Sequence, residues 1–405
     1  SPDDLEGMYA GSLKRAVEGD MENGSILAGQ VAALVKKRGT AKELIAELMA
    51  EAEALGALDL AAMAELNARQ GRWKMPTHRK TEAMAQLEGI GPVHTVFMAS
   101  GQGSQKPGMG VSLFGVPEVQ AALECASDVF DRDIAALINS EGDEAQAQLN
   151  ETRNAQVAIA ALSIGIGRAL MARGIRPDAL LGFSLGQISA LALADMLTDE
   201  EAFRLIDVRS RVMDEAARSN PGAMTALLKA DEKSVMALCE QCAQGDVLAP
   251  ANFNCPGQIV VAGTVPAIER AEEAWKEQGG KLSRLATQGA FHSPLMKAAC
   301  DPFAEYLATV DFKEPVIPVI CNTDATPLDT ATVRQRLVDH LTHPVRFQQS
   351  VEALREQGAD TFIEVGFGGV LSGLVRRIDK EATRACVQDR PSFEELEESW
   401  RKSDE

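Results

Sequence analysis

Gly182-Phe183-Ser184-Leu185-Gly186 sets a serine between two glycines at G-x-S-x-G spacing. Glycines two before and two after the serine remove side chains that would clash in a sharp strand-to-helix turn. The hydroxyl then stands at the start of the next helix, whose free N–H groups and positive partial charge suit a developing oxyanion. The flanks fit: Ala179-Leu180-Leu181 reads as the end of a buried strand, and Gln187 to Met196 as a strongly apolar helix. The chemistry on offer is nucleophilic catalysis by Ser184. The competing reading is a glycine-flanked turn with no chemistry.

A serine nucleophile needs a base, and histidine suits best near neutral pH. The chain has five: His78, His94, His292, His340 and His343. His292 lies in GAFHSPLM, a glycine-led loop ahead of an apolar helix, and Ser184 before His292 follows the chain order of α/β-hydrolase sites. The acids between them, Asp207, Asp214, Asp231 and Asp246, fall on helices or in an insertion, and none stands out as a third member. A main-chain carbonyl can orient the imidazole, so a Ser-His dyad is expected.

The elements that must position these residues read as an α/β chain. Residues 1–70 carry apolar residues at helical spacing, and 71–92 read as a linker with Gly71, Pro76 and Gly91. Strands and helices alternate over 93–221, starting with VHTVFMAS and the glycine-rich GQGSQKPGMG. Residues 222–288 give strand–helix–strand–strand–helix–strand, the ferredoxin-like order. The first α/β unit resumes over 289–389, which makes the ferredoxin-like unit an insertion. The acidic tail at 390–405 is expected to be a peripheral helix or disordered.

Of 405 residues, 45% are hydrophobic, enough for a sizeable core and two or three domains. A net charge of −19 argues against nonspecific binding to nucleic acid or to an anionic membrane. No apolar run is read as a membrane span and no signal peptide precedes the first helical pattern. The opening Ser-Pro suggests a trimmed longer parent. Seven scattered cysteines read as free thiols in a reducing, cytoplasmic setting. Cys239 and Cys242 have helical spacing, and no second pair completes a zinc site.

A set of motifs now occurs in order: SGQGSQKPGMG, GFSLGQISAL, VRSRVM, GAM, NFNCPGQIVVAG, GAFHSPLM, HLTHPVRF and IEVGFGGVLSGL. Together they resemble the malonyl-CoA:acyl-carrier-protein transacylases, over about Val93 to Asp389. The resemblance implies an α/β-hydrolase-like large subdomain with an inserted ferredoxin-like one. It implies ping-pong transfer from malonyl-CoA, through a malonyl ester on Ser184, to the phosphopantetheine thiol of an acyl carrier protein. His292 would be the base, the carbonyl of His340 its orienter, and the N–H groups of Gln102 and Leu185 the oxyanion donors. Arg209 would pair with the malonyl carboxylate, with Arg211 as the competing arginine on another helix face. Gln156, Met213, Asn254 and Phe291 would line the substrate site, Phe291 narrowing the room for an α-methyl group. No bound cofactor is implied. Two positions depart from the family pattern: Phe183 stands for the usual histidine, and Gln187 for the usual glutamate. Arg376, Arg377 and Lys380 are candidates for meeting an acidic carrier protein.

Residues 18–55 resemble the C-terminal end of FMN-dependent enoyl-acyl-carrier-protein reductases, which implies a reductase–transacylase fusion. The barrel is missing, so FMN is not expected here. An unrelated helical extension is the alternative. Two rival functions use the same fold: a hydrolase clearing acyl groups from carrier proteins, and a non-catalytic docking module.

Overall fold

The computed structural model describes residues 90–403, residue 288 excepted. The extension at 1–70 and nearly all of the linker at 71–92 lie outside the described residues.

The chain runs from β1 (Thr95–Ala99) through α1 (Thr152–Ala172) to β2 (Ala179–Gly182), α2 (Gly186–Leu193) and α3 (Asp199–Ser219). There follow β3 (Gly222–Ala230), α4 (Glu232–Ala243), β4 (Leu248–Cys255), β5 (Gly257–Thr264), α5 (Val265–Glu277) and β6 (Lys281–Arg284). It returns through β7 (Val319–Ile320), α6 (Phe347–Glu356), β8 (Thr361–Val365), α7 (Val370–Ile378), β9 (Thr383–Val387) and α8 (Arg390–Ser403).

Five strands form a parallel sheet in the order β7-β2-β1-β8-β9. β1 and β2 are buried along their whole length, as strands covered on both faces must be, so TVFMA and ALLG read as continuous rather than alternating apolar runs. Ala99 pairs with both Gly182 and Val365, so the C-terminal ends of β1, β2 and β8 come out level. Loops leaving that edge converge, which is where open parallel sheets bind ligands. This is the α/β-hydrolase-like part of the fold.

The inserted unit is antiparallel, ordered β4-β5-β3-β6. With two helices crossing it in βαββαβ order, it is ferredoxin-like. Period-two alternation divides its faces. Ile259 and Val261 pack with α4 and α5 in the unit's own core. Val260 and Ala262, between and after them, face the main core instead. Cys239 and Cys242 are buried on the inner side of α4.

One sequence expectation needs correcting, and one pair of alternatives is resolved. α1 is 21 residues long with a mean hydropathy of 1.6 over its most apolar window, so an apolar run of membrane-spanning length does exist. That window is 83% buried inside the protein, where the helix packs between neighbours as a core element. The acidic tail is the peripheral helix of the two alternatives, most of its residues being at least partly exposed. α8 buries Phe393 and Leu396 in the main core at helical spacing, while Arg173 stands 4.8 Å from the Phe393 ring centroid.

Candidate active site

A cavity of about 510 Å³ opens over the C-terminal edge of the parallel sheet. Loops from that edge line one side, and Met224, Ala226, Asn252, Asn254 and Val260 of the inserted sheet line the other. Ser184 sits at its floor.

The elbow carrying Ser184 is forced by close packing. Ser184 has φ +52°, a left-handed value that costs a non-glycine residue about 1–3 kcal/mol. A Cβ at Gly182 would stand 2.0 Å from the Gly186 carbonyl carbon, and one at Gly186 would stand 2.1 Å from the Ala99 oxygen. Both glycines of the motif are therefore obligatory. Leu185 immediately precedes α2, so its N–H stands at the positive end of that helix.

The Ser184 hydroxyl donates to His292 Nε2 at 2.7 Å. His292 Nδ1 donates to the His340 carbonyl, also at 2.7 Å. A carbonyl can only accept, so the proton sits on Nδ1 and the Nε2 lone pair faces the serine. Burial first, and the Arg209 charge second, push the imidazole down to about 4. At neutral pH it is an unprotonated base. The His340 ring lies 4.8 Å from the His292 ring, fully buried, with its own Nε2 unpartnered.

Arg209 comes from α3, whose start is fixed by a Thr198–Glu201 capping box. The guanidinium is 2% exposed. It donates to Gln156 Oε1 at 2.9 Å and to Ser184 Oγ at 3.3 Å. Burial lowers it to about 10, so it stays charged. Among the described residues no carboxylate pairs with it. Gln156 donates onward to the Met213 sulfur, four residues along the same helix face as Arg209. Arg211 is exposed on another face and borders a separate surface hollow, away from the serine.

Gln102, Leu185, Met213, Phe291 and Asn254 all line the cavity. Asn254 Oδ1 is buried without a partner. Phe291 is 6% exposed and packs in the main core beside His292. Phe183 meets Phe347 edge-on, with centroids 5.6 Å apart. Its carbonyl and ring close against Gly101, where a Cβ would be 2.5 Å from the Phe183 oxygen. Arg376, Arg377 and Lys380 are exposed, and Arg377 reaches Gln258 at the cavity rim.

Two buried residues carry contacts that sequence reasoning did not single out. Glu364, at the end of β8, accepts from Ser372 N–H at 2.8 Å and from Ser100 Oγ at 3.4 Å, and burial raises its carboxyl. Its place in IEVGFGG was the available signal. Asn322, beyond β7, accepts from Ser184 N–H at 2.7 Å, and VICNTDA gives no hint of that.

A family profile described as an acyl transferase domain matches residues 96–392. The malonyl CoA-acyl carrier protein transacylase of Bacillus subtilis is 37% identical over 302 residues, covering 74% of this chain and 94% of that one. The chain belongs to the malonyl CoA-acyl carrier protein transacylase family. The solved structure of MCAT from Streptococcus pneumoniae is 39% identical with a TM-score of 0.71, covering 75% of this chain and 99% of that one. A malonyl-transacylase solved in complex with a type II PKS acyl-carrier protein is 37% identical, with a TM-score of 0.72 and coverage of 76% and 99%. The elbow, the GAFH loop and the VRSRVM helix all fall inside the matched span.

Proposed function

We infer that the chain transfers a malonyl group from malonyl-CoA to the phosphopantetheine thiol of an acyl carrier protein, in fatty-acid or polyketide synthesis. The observation that carries the substrate assignment is Arg209, a buried cation 3.3 Å from the Ser184 hydroxyl with no carboxylate beside it among the described residues. A carboxylate on the acyl group supplies the missing charge, through two parallel hydrogen bonds to one planar guanidinium.

Ser184 Oγ attacks the thioester carbonyl while His292 Nε2 takes its proton. The carbonyl oxygen gains the negative charge and sits between the N–H groups of Gln102 and Leu185, each worth about 2.7–4 kcal/mol in the transition state. The intermediate collapses, the C–S bond breaks, and His292 returns the proton to the coenzyme A thiolate. The malonyl-serine ester remains. The carrier-protein thiol then gives its proton to His292 and attacks the ester, and Ser184 leaves with that proton. The His340 carbonyl keeps Nδ1 protonated throughout and stabilises the imidazolium formed in each half.

The reading extends to Phe291 as a restriction on α-substituents, worth about 1–3 kcal/mol per methyl group. Gln156 and Met213 hold Arg209, and Asn254 lines the cavity where the substrate arm would lie. We assign a cytoplasmic location on the free cysteines. Residues 1–70 are proposed as the tail of an enoyl reductase, supported by the resemblance of 18–55 alone; the mass of the native gene product tests that.

The deciding experiment is intact-mass spectrometry after incubation with malonyl-CoA and no carrier protein. A malonyl adduct that is lost in Ser184→Ala, with an acetyl adduct forming far more slowly from acetyl-CoA, is the expected result. Coenzyme A release without an adduct would replace transfer by hydrolysis.

A further inference from the structure

We propose that Asn322 is a positioning residue for the nucleophile: its side-chain amide, braced by Gln187, carries the sheet edge past the end of β7 and fixes the backbone of Ser184. β7 has two residues, and its last pairing with β2 is Ile320 with Leu181. The elbow therefore runs beyond its neighbouring strand. Asn322 fills the place of the missing peptide. Its Nδ2 donates to the Gly182 carbonyl at 2.7 Å, and its Oδ1 accepts from Ser184 N–H at 2.7 Å. On the opposite edge Phe183 N–H donates to the Ala99 carbonyl at 3.1 Å. One amide thus grips the elbow on both sides of Phe183, where the backbone enters its left-handed turn.

The amide is itself fixed. Asn322 N–H donates to Gln187 Oε1 at 2.6 Å, and Arg346 N–H donates to the Asn322 carbonyl at 2.7 Å. All four hydrogen-bonding groups of Asn322 are engaged, and both Asn322 and Gln187 are 0% exposed. Gln187 lies in the first turn of α2, three residues after the serine. The brace closes on itself: the elbow launches the helix, the helix holds Asn322, and Asn322 holds the elbow. Donor and acceptor are not interchangeable here. A carboxylate at 322 keeps the contact to Ser184 N–H but turns an oxygen against the Gly182 carbonyl. An apolar side chain leaves both main-chain groups unpaired.

Neither Asn322 nor Gln187 lines the cavity, and Arg209 and Gln156 stand on other helices. Asn322 therefore acts on the direction of Ser184 Oγ and of the Leu185 N–H, and not on substrate contacts. Its loss is expected to slow acylation and leave binding alone.

The inference rests on Ser184 being the nucleophile, and the test separates the two. In the full chain, the single-turnover rate of malonyl-serine formation is measured against malonyl-CoA concentration, and KM here is the concentration that half-saturates that rate, which the deacylation step does not enter. The labelling rate of a fluorophosphonate probe, which needs no malonyl pocket, is measured as well. Asn322→Ala should lower both rates by about 10²-fold, the scale of an ångström-sized misplacement, with KM held within about twofold. Asn322→Asp, which keeps one contact, should recover part of the loss. Parent-like rates in a folded Asn322→Ala, or rate and KM worsening together, would overturn the assignment. If Asn322→Ala does not fold, Asn322→Asp and Gln187→Leu must show the same rate-only defect, and a KM defect in them rejects it. A parent that labels with the probe but forms no malonyl ester would sink the malonyl reading while the labelling rates still judge Asn322.

Discussion

Ser184 and His292 both hold left-handed backbone, at φ +52° and +58°, yet they are kept there by different means. The serine side is clamped by main chain. Two glycines leave no room for a Cβ, β1 grips one edge of the turn, and Asn322 grips the other. The histidine side is held more loosely. Ser293 Oγ donates to the Ala290 carbonyl at 2.6 Å, and the His340 carbonyl fixes the ring through one hydrogen bond. Leu295 N–H donates to Ser293 Oγ at 3.3 Å and Met296 N–H to the Ser293 carbonyl at 3.0 Å, and buried neighbours pack around them. Attack needs an oxygen whose direction is set before substrate arrives. The base has to accept and release a proton twice per cycle, and one anchored nitrogen with a pivot behind it suffices for that.

The severest break is removal of either partner. Ser184→Ala and His292→Ala should each lower the acylation rate by about 10⁶-fold, and the double variant should be hardly worse, because the two act as a unit. Quenched-flow mass spectrometry reads all three, and additive losses would argue that the two sides work independently. Next comes Gly182→Ala, where a Cβ 2.0 Å from main chain is expected to cost more than about 4 kcal/mol and leave little soluble protein. A normal urea midpoint for that variant would show the elbow to be softer than described.

Arg209 contacts the serine and acts on His292 through its charge, so Arg209→Ala sharpens the comparison. Activity with malonyl-CoA should fall by about 2–5 kcal/mol in kcat/KM, while the poor rate with acetyl-CoA should not. Unchanged preference between the two thioesters would move the carboxylate site elsewhere.

The pH profile follows from the same residue. His292 is neutral above about 4 in the free enzyme, so the acid limb of kcat/KM should lie near that value rather than near 6.5. Arg209→Gln removes the second cause of the lowering and should move the limb upward. Stability has the matching sign. The unfolded chain takes up a proton near 6.5 that native His292 refuses until about 4, and buried His340 shifts the same way. Stability is therefore full above 6.5 and falls as pH drops through that window, a slope that His292→Gln should lessen in denaturation curves at pH 7 and 5. The smallest effect is expected from Phe183→His. Losing the edge-on contact with Phe347 should cost about 0.5–1.5 kcal/mol in stability, with malonyl-serine formation changed by only a few-fold.

Much of this was legible in the sequence because the relevant signals are local. G-x-S-x-G states its own steric reason, and alternation in β5 marks which face meets α4 and α5. Arg209 and Met213 share a face because they are four apart on a helix. Asn322 was not legible. Its contacts span 135 to 140 residues, it follows a strand of only two residues, and an asparagine in VICNTDA looks like any turn residue. α1 was misjudged for a related reason: apolar length is the same whether lipid or protein covers it. The tail was left between helix and disorder because its acidic residues mask Phe393 and Leu396, which meet only once the helix is wound.

Arg209 keeps a positive charge out of water with no counter-ion among the described residues, and this ranks the states of the catalytic cycle. On the proposed pairing of Arg209 with the malonyl carboxylate, the vacant enzyme is the electrostatically incomplete one and the malonylated enzyme the balanced one. A ligand that binds the native form alone raises its melting point by an amount set by its concentration over its Kd, so malonyl-CoA should protect this chain against heat more than acetyl-CoA does at the same concentration. Loaded with substrate, the molecule would rest with its serine already esterified, and the arrival of an acceptor thiol would then set the pace of turnover.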